Sequence, residues 1–313
     1  MVNYKILVTG ATGFIGSHIC ETLVKKGYEV AILVRKTSNL SFLKDLNLKI
    51  YYGDLLSKES LKEAIKECHY IINCAGKILG KKRDYYQVNY RGTENLIENI
   101  LELKPPLRLF IHLSTLAVCG PGENIKEDKK PTPLSVYGIS KLLQENLLLK
   151  YCQQIPLIIL RLSAIYGPRD RESLKYFKIL EKRLGLIFGG TFSLCYVKDL
   201  CDLIVSIIEN NKELKSGEIF NIADGNCYTF QHIVSAYEKI TQKKVLKIYL
   251  PNFLVFLIGY LWQRDKVKDL TASCYWASIE KAKKLLNFVP KYSLIAGLQE
   301  TLEWYKKNNW LGR

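Results

Sequence analysis

Tyr137 and Lys141 stand four residues apart in the stretch SVYGISK, Ser135 to Lys141. On a helix that spacing puts both side chains on one face. A phenol, whose ordinary pKa is near 10, exchanges protons near neutrality only where something favours its anion, and a neighbouring ammonium does so. Upstream, FIHLSTLAVCG closes an apolar run with Ser114 and Thr115, whose hydroxyls could hold a substrate oxygen beside that phenol. Together these residues read as a centre for general acid–base proton transfer. A Tyr and a Lys at this spacing also decorate helix surfaces by chance, so the reading depends on what the rest of the chain builds around them.

The N-terminus builds a phosphate cradle. In ILVTGATGFIG, Ile6 to Gly16, the glycines Gly10, Gly13 and Gly16 follow a short apolar strand pattern, Tyr4–Val8, and open a helical one, Phe14–Lys26. At a strand-to-helix junction a residue without Cβ allows a tight turn and close approach of a ligand, and the free N–H groups of the helix start attract phosphate. The spacing predicts dinucleotide binding; the alternative is a turn rich in glycine for packing alone. After the second strand, EVAILVRKTSN has Val34 where NAD sites carry an acid, followed by Arg35 and Lys36. A guanidinium can hold a 2′-phosphate through a forked pair of hydrogen bonds, which favours NADP over NAD unless Arg35 is only a solvated loop residue. Asp54 in GDL suits an adenine amino group. In NCAGK the small residues Cys74, Ala75 and Gly76 let the backbone lie along pyrophosphate and ribose.

Strand patterns at Tyr4–Val8, Glu29–Val34, Lys49–Tyr52, Tyr70–Asn73, Arg108–Leu113 and Leu157–Leu162 alternate with helical patterns at Phe14–Lys26, Ser60–Glu67, Gln87–Leu103 and Val136–Tyr151. The expected fold is α/β, a doubly wound parallel sheet (Rossmann fold) with a smaller, mostly helical C-terminal substrate lobe. The expected division is a dinucleotide-binding domain at 1–166 and a substrate lobe at 167–313, with segments returning to the sheet near 195–222, at Cys195–Ile208 and Glu218–Ile222. Ligands then bind along the edge formed by the strand C-termini.

Bulk properties narrow the class. The chain has 313 residues, 48% of them hydrophobic and 24% charged, as in ordinary globular proteins. Its net charge of +16 is dispersed, so solvated lysine faces account for it; an anionic substrate or membrane surface is the alternative, and no basic helix interleaved with aromatics points to nucleic acid. Nine scattered cysteines without a C-x-x-C pair, and four histidines, suit buried thiols in a reducing cytoplasm and offer no zinc spacing. PNFLVFLIGYLW, Pro251 to Trp262, is too short to span a bilayer; it reads as a buried helix, a lid on a hydrophobic substrate, or an interfacial membrane contact.

The order of these motifs resembles the extended short-chain dehydrogenase/reductase family, also called the NAD-dependent epimerase/dehydratase family, over nearly the whole chain. TGATGFIG matches its cofactor loop, GDL and NCAG its adenosine and ribose contacts, and Asn89 in YYQVNYRGT its helix asparagine; RLSAIYGPRD, YVKDL and FNIADG match its later landmarks. The resemblance implies a catalytic triad of Thr115, Tyr137 and Lys141. It implies a cofactor site of Gly10, Thr12, Gly13, Phe14, Ile15, Gly16, Arg35, Lys36, Asp54, Leu55, Cys74, Ala75, Gly76, Asn89, Ser114, Tyr137 and Lys141, and no metal. The implied chemistry is hydride transfer between nicotinamide and substrate carbon, with Tyr137 as acid/base, Lys141 binding ribose and Thr115 holding the substrate oxygen. A homodimer through Gln87–Leu103 and Val136–Tyr151 is the assembly it implies. Nucleotide-sugar epimerases usually carry Asn at Ala164 and commonly Arg near Phe192, groups that bind a diphosphate. With Arg35, the pattern is closer to the dihydroflavonol-reductase and 3β-hydroxysteroid-dehydrogenase branch. The expected function is therefore an NAD(P)-dependent oxidoreductase of a secondary alcohol or ketone on a hydrophobic substrate. The alternatives are a nucleotide-sugar epimerase or dehydratase with retained cofactor, and a non-catalytic dinucleotide-binding protein.

Overall fold

The computed structural model describes residues 4–210, 214–261, 267–272 and 274–312, with the helix alone given for 258–261. Seven strands form one sheet: β1 (Lys5–Thr9), β2 (Glu29–Val34), β3 (Lys49–Tyr52), β4 (Tyr70–Asn73), β5 (Leu109–Thr115), β6 (Leu157–Leu162) and β7 (Glu218–Ile222). Their order across the sheet is β7-β6-β5-β4-β1-β2-β3. The pairings of β1 with β2 and β4, of β2 with β3 and of β4 with β5 are parallel. The chain leaves β1 in one direction across the sheet and returns to its other side at β4, so the switch of direction falls between these two strands. The connections that leave β1 and β4 therefore run in opposite directions across the sheet, and a ligand can enter at its C-terminal edge.

Every residue of β1 is buried, as a central strand covered on both faces requires. Leu7, Ala31, Ile71, Phe110 and Ile159 carry one apolar face of the sheet, covered by Leu96, Ile97 and Ile100 of α2 (Gly92–Leu103) and by Leu147 and Leu148 of α3 (Val136–Leu149). Helix α1 (Phe14–Lys25) follows the glycine turn. By backbone proximity the chain divides into two compact units. The first comprises Met1–Val118, Val136–Arg161 and Cys201–Phe220; the second comprises Cys119–Ser135, Leu162–Leu200 and Asn221–Arg313.

Several elements differ from expectation. The pattern at Ser60–Glu67 forms a 3-10 turn, Lys58–Leu61, and one helical turn, Lys62–Ile65. The helix expected from Gln87 begins at Lys82, and its Tyr86–Arg91 segment is π-helical before α2 continues. Of the two segments expected to return to the sheet, Glu218–Ile222 does so as a strand, whereas Cys195–Ile208 adds no strand to it although Cys201–Phe220 falls in the first unit. Leu194–Tyr196 pairs instead with Ala164–Tyr166 in a separate ribbon, and Val197–Glu209 is helical because its apolar residues recur at helical spacing. The second unit also holds short strand pairs, such as Leu184–Ile187 with Leu246–Tyr249.

Candidate active site

The turn after β1 shows why two of its glycines are needed. Gly10 has φ +68°, and a Cβ there would lie 2.7 Å from the Ala75 nitrogen, so the loops after β1 and β4 touch backbone to backbone. A Cβ on Gly16 would lie 2.3 Å from the Gly10 carbonyl oxygen, so the first turn of α1 packs directly on the loop. The α1 N-terminus has no side-chain cap and no acidic residue in its first turn. Its N–H groups and the positive end of the helix dipole stay available to an anion. Thr12, Phe14 and Ile15 are half-buried there, and Gly13 is exposed.

The other expected cofactor residues follow the C-terminal ends of successive strands. Arg35 and Lys36 lie exposed just past β2, where the Arg35 N–H donates to Ser38 Oγ at 3.1 Å; neither side chain has a partner among the described residues. After β3, the Asp54 N–H donates to Ser60 Oγ (3.0 Å) and Asp54 Oδ1 accepts from the Leu56 N–H (2.9 Å), which fixes the loop. The Leu55 carbonyl accepts from Asn95 Nδ2 at 2.7 Å. After β4, Cys74 and Ala75 are half-buried and Gly76 is exposed; burial pushes the Cys74 thiol well above its usual range, so it stays protonated. Asn89, buried in the π-helical segment, accepts from the Lys77 N–H (2.7 Å) and donates to the Lys77 carbonyl (3.2 Å) and to Ser140 Oγ (2.9 Å). It thereby clamps the chain leaving β4 and ties it to α3. A π segment breaks the regular ladder, and such breaks are frequent at functional sites.

Tyr137 and Lys141 occupy successive turns of α3. Tyr137 is half-buried, with its ring centroid 6.2 Å from that of Tyr85, and its carbonyl accepts from Ser140 Oγ at 2.7 Å. Lys141 is buried. Its Nζ lies 2.8 Å from the Leu113 carbonyl, 2.5 Å from Gln144 Oε1 and 3.2 Å from His112 Nε2. Burial lowers its pKa to about 7, opposed by the negative charge of Glu145. A lysine poised there can be charged or neutral at little cost, which suits a group that must follow a proton on a neighbouring phenol. Thr115, at the end of β5, is half-buried, and its Oγ1 accepts from the Ala117 N–H at 3.3 Å.

Ser114 faces the other way. Its Oγ donates at 2.5 Å to Glu145 Oε1, and Glu145 is held by Arg161 of β6 through Nε (3.1 and 3.2 Å) and Nη2 (2.8 Å). The Ser114 hydroxyl is thus committed inward, to a buried ion pair, while Thr115 points to the opposite face of the strand. Glu145 and Arg161 were not singled out in the sequence, nor were His112 and Gln144, which contact Lys141, and Asn73 and Thr93, which contact His112 and Gln144 in turn. Glu145 was within reach, since it continues the face of Tyr137 and Lys141 one turn further on.

In the second unit Ala164 is exposed, and Phe192 joins a half-buried aromatic cluster. Phe230 lies 5.2 Å from Phe192, 4.2 Å from Phe188 and 5.0 Å from Tyr176, between ring centroids. Helix Asn252–Leu261 exposes Phe253, Leu254, Phe256 and Leu257; Trp262, the end of the apolar stretch, lies outside the described residues. No helix among the described residues is long and apolar enough to cross a membrane, and no group of three or more His, Cys, Asp or Glu there could hold a metal ion. None of the nine cysteines, all among the described residues, forms a disulfide.

A parallel sheet whose direction switches between β1 and β4, with a glycine turn at that switch and a Tyr-x-x-x-Lys helix at the same edge, defines a dinucleotide-dependent enzyme class. Residues 6–223 match the model of the NAD dependent epimerase/dehydratase family, and the chain belongs to that enzyme family. It is 28% identical to UDP-N-acetyl-alpha-D-glucosaminuronate decarboxylase of Bacillus cytotoxicus, over 97% of this chain and 98% of that one. It is 27% identical to ceramide reductase of Caulobacter vibrioides, over 98% and 96%. The crystal structure of UDP-glucuronic acid 4-epimerase from Bacillus cereus in complex with NAD is similar at a TM-score of 0.82 and 30% identity, covering 97% of this chain and 99% of that one.

Proposed function

We propose that the chain catalyses hydride exchange at a secondary carbinol or carbonyl carbon, with Tyr137 as the proton donor and acceptor. The observation that carries this reading is the buried Lys141, one helical turn from Tyr137 and lowered to about 7, at the sheet edge that also presents the Gly10 turn. A bound NAD(P) would supply or take up the hydride. The residues present fit it: the Gly10–Gly16 turn and the uncapped α1 would hold pyrophosphate, and Cys74–Gly76 and Asn89 would border the ribose. Asp54 and Leu55 would meet the adenine, with Arg35 and Lys36 beside a 2′-phosphate. Lys141, whose Nζ faces Leu113, Gln144 and His112, would border the nicotinamide ribose and, when charged, favour the phenolate of Tyr137. Tyr137 Oη then takes the proton of a substrate hydroxyl as it becomes a carbonyl, or returns it in the reverse step. Thr115, whose oxygen already accepts from Ala117, keeps its O–H to donate to that substrate oxygen.

For the substrate, the Bacillus relatives support a nucleotide sugar oxidised transiently by a retained cofactor, and this replaces the hydrophobic ketone as the leading reading. The ketone reading keeps one specific observation in its favour. Phe192 and Ala164 offer no donor to a diphosphate, and the Phe188–Phe192–Phe230 cluster with the exposed apolar helix suits a lipid-like ring system or contact with a membrane surface. Incubation with UDP-sugars and with hydrophobic ketones, while following NADPH absorbance and sugar configuration, separates the two. A retained-cofactor enzyme converts UDP-sugar with no net loss of NADPH. A reductase consumes NADPH in proportion to ketone. No conversion in either panel, under conditions where NAD(P) binds, refutes hydride chemistry.

A further inference from the structure

Beneath Lys141 runs a buried polar chain that the proposed proton transfer does not use. Thr9 Oγ1, at the end of β1, donates to Asn73 Oδ1 at 2.7 Å. Asn73 Nδ2 lies 3.3 Å from His112 Nδ1 and 3.4 Å from Thr93 Oγ1, and His112 Nε2 lies 3.2 Å from Lys141 Nζ. Gln144 closes the side of the chain, with Oε1 on Lys141 and Nε2 donating to Thr93 Oγ1 at 2.5 Å. Thr9, Asn73, Thr93, His112 and Gln144 are at most 1% exposed, so water cannot repair a mismatched donor.

We propose that His112 is a positioning residue for Lys141, and that the chain Thr9–Asn73–His112–Lys141 reverses its hydrogen-bond direction when Lys141 gains or loses a proton. Burial and the Lys141 charge hold the His112 pKa well below its usual value, so the ring stays neutral and carries one N–H. When Asn73 Nδ2 donates to His112 Nδ1, the proton must sit on Nε2 and point at Nζ. Only a neutral amine can accept it, while its own two N–H groups go to Leu113 and Gln144. A charged Lys141 has three donors and needs His112 Nε2 as an acceptor, so the imidazole proton moves to Nδ1. Asn73 then turns its amide end for end, Oδ1 accepting from His112 and Thr93 while Nδ2 donates to Thr9. Each arrangement pairs donor with acceptor along Asn73, His112 and Lys141. A mixed one sets donor against donor or acceptor against acceptor. The lysine's charge and the histidine's tautomer are therefore coupled.

The other ionisable groups around Lys141 are Cys74 after β4, Glu145 on the next turn of α3 (paired with Arg161) and Tyr137 on the preceding turn. Cys74 stays protonated and Glu145 stays paired, so neither offers an alternative route for the reversal.

The inference rests on the role proposed for Lys141, but its test does not read turnover. The chain has four histidines, so 15N-histidine labelling with long-range 15N–1H correlation spectra resolves each tautomer, and His112→Phe assigns the signal. His112 is expected as Nδ1–H at about pH 6 and Nε2–H at about pH 9, either side of the Lys141 midpoint. A single tautomer across that range overturns the proposal. Asn73→Asp offers His112 only acceptors, so it should fix Nδ1–H and raise the Lys141 midpoint by about one pH unit or more. A tautomer change like the wild type's in that variant also overturns it, and the wild-type titration decides alone if the variant does not fold. Reversal in a protein without hydride chemistry would sink the function and keep this coupling; an active protein without reversal would do the opposite.

Discussion

Replacing Glu145 with Ala is the sharpest test of how the site is held. Glu145 and Arg161 side chains are 1% and 4% exposed, and the carboxylate also takes the Ser114 hydroxyl. Removing the carboxylate leaves a guanidinium buried without its counter-charge and Ser114 without its acceptor. Breaking one side of such a pair costs about 3–5 kcal/mol. At roughly 2–4 °C per kcal/mol for a folding unit of this size, the melting temperature should fall by about 6–20 °C. The assay is thermal and urea denaturation of a double-mutant cycle with Arg161→Met. The double variant, which buries no charge, should recover most of the loss, because an apolar replacement of a buried pair is often neutral or stabilising. A loss under about 1 kcal/mol for Glu145→Ala, or losses that simply add in the double variant, would refute the view that this pair anchors α3 to β5 and β6.

Two further outcomes follow from charge. Arg35→Asp should reverse any preference for NADP by about ten-fold or more, the scale of one charge-assisted hydrogen bond, measured as the ratio of the two dissociation constants; an unchanged ratio would mean Arg35 touches no 2′-phosphate. Lys141, at about 7 in the folded protein against 10.5 free, binds fewer protons folded than unfolded between those values. Stability should therefore rise with pH across that window, by about 1 kcal/mol per unit, and level off below it. Lys141→Met should lose this rise in urea titrations, and a parallel profile in both proteins would show that the lysine is not buried as a near-neutral group.

The scaffold of the site was legible because its signals are local. An apolar run, glycines three apart and a helical pattern all lie between Tyr4 and Lys26, and alternation of patterns then dictates a parallel sheet. What lay out of reach depends on distant partners. Thr9 meets Asn73 64 residues away, and nothing in either neighbourhood marks the other. The π-helical turn carrying Asn89 is a change of hydrogen-bond register without a signature in composition. Ser114 and Thr115 read alike as hydroxyls, though strand alternation alone says they face opposite sides. Cys195–Ile208 contributes a helix and no strand to the sheet, a distinction its dense apolar run leaves open, since such a run fits a buried strand or a buried helix and length decides between them.

The central claim is that a nucleotide cradle at the C-terminal edge of the sheet presents Tyr137 to a nicotinamide ring. A crystal structure with NAD or NADP bound tests it most directly. The account predicts pyrophosphate on the Gly10–Gly16 turn, the nicotinamide ribose bordered by Lys141 and the Tyr137 hydroxyl beside the reactive ring. A dinucleotide bound elsewhere, or a Tyr137 hydroxyl turned to bulk solvent away from it, would contradict it.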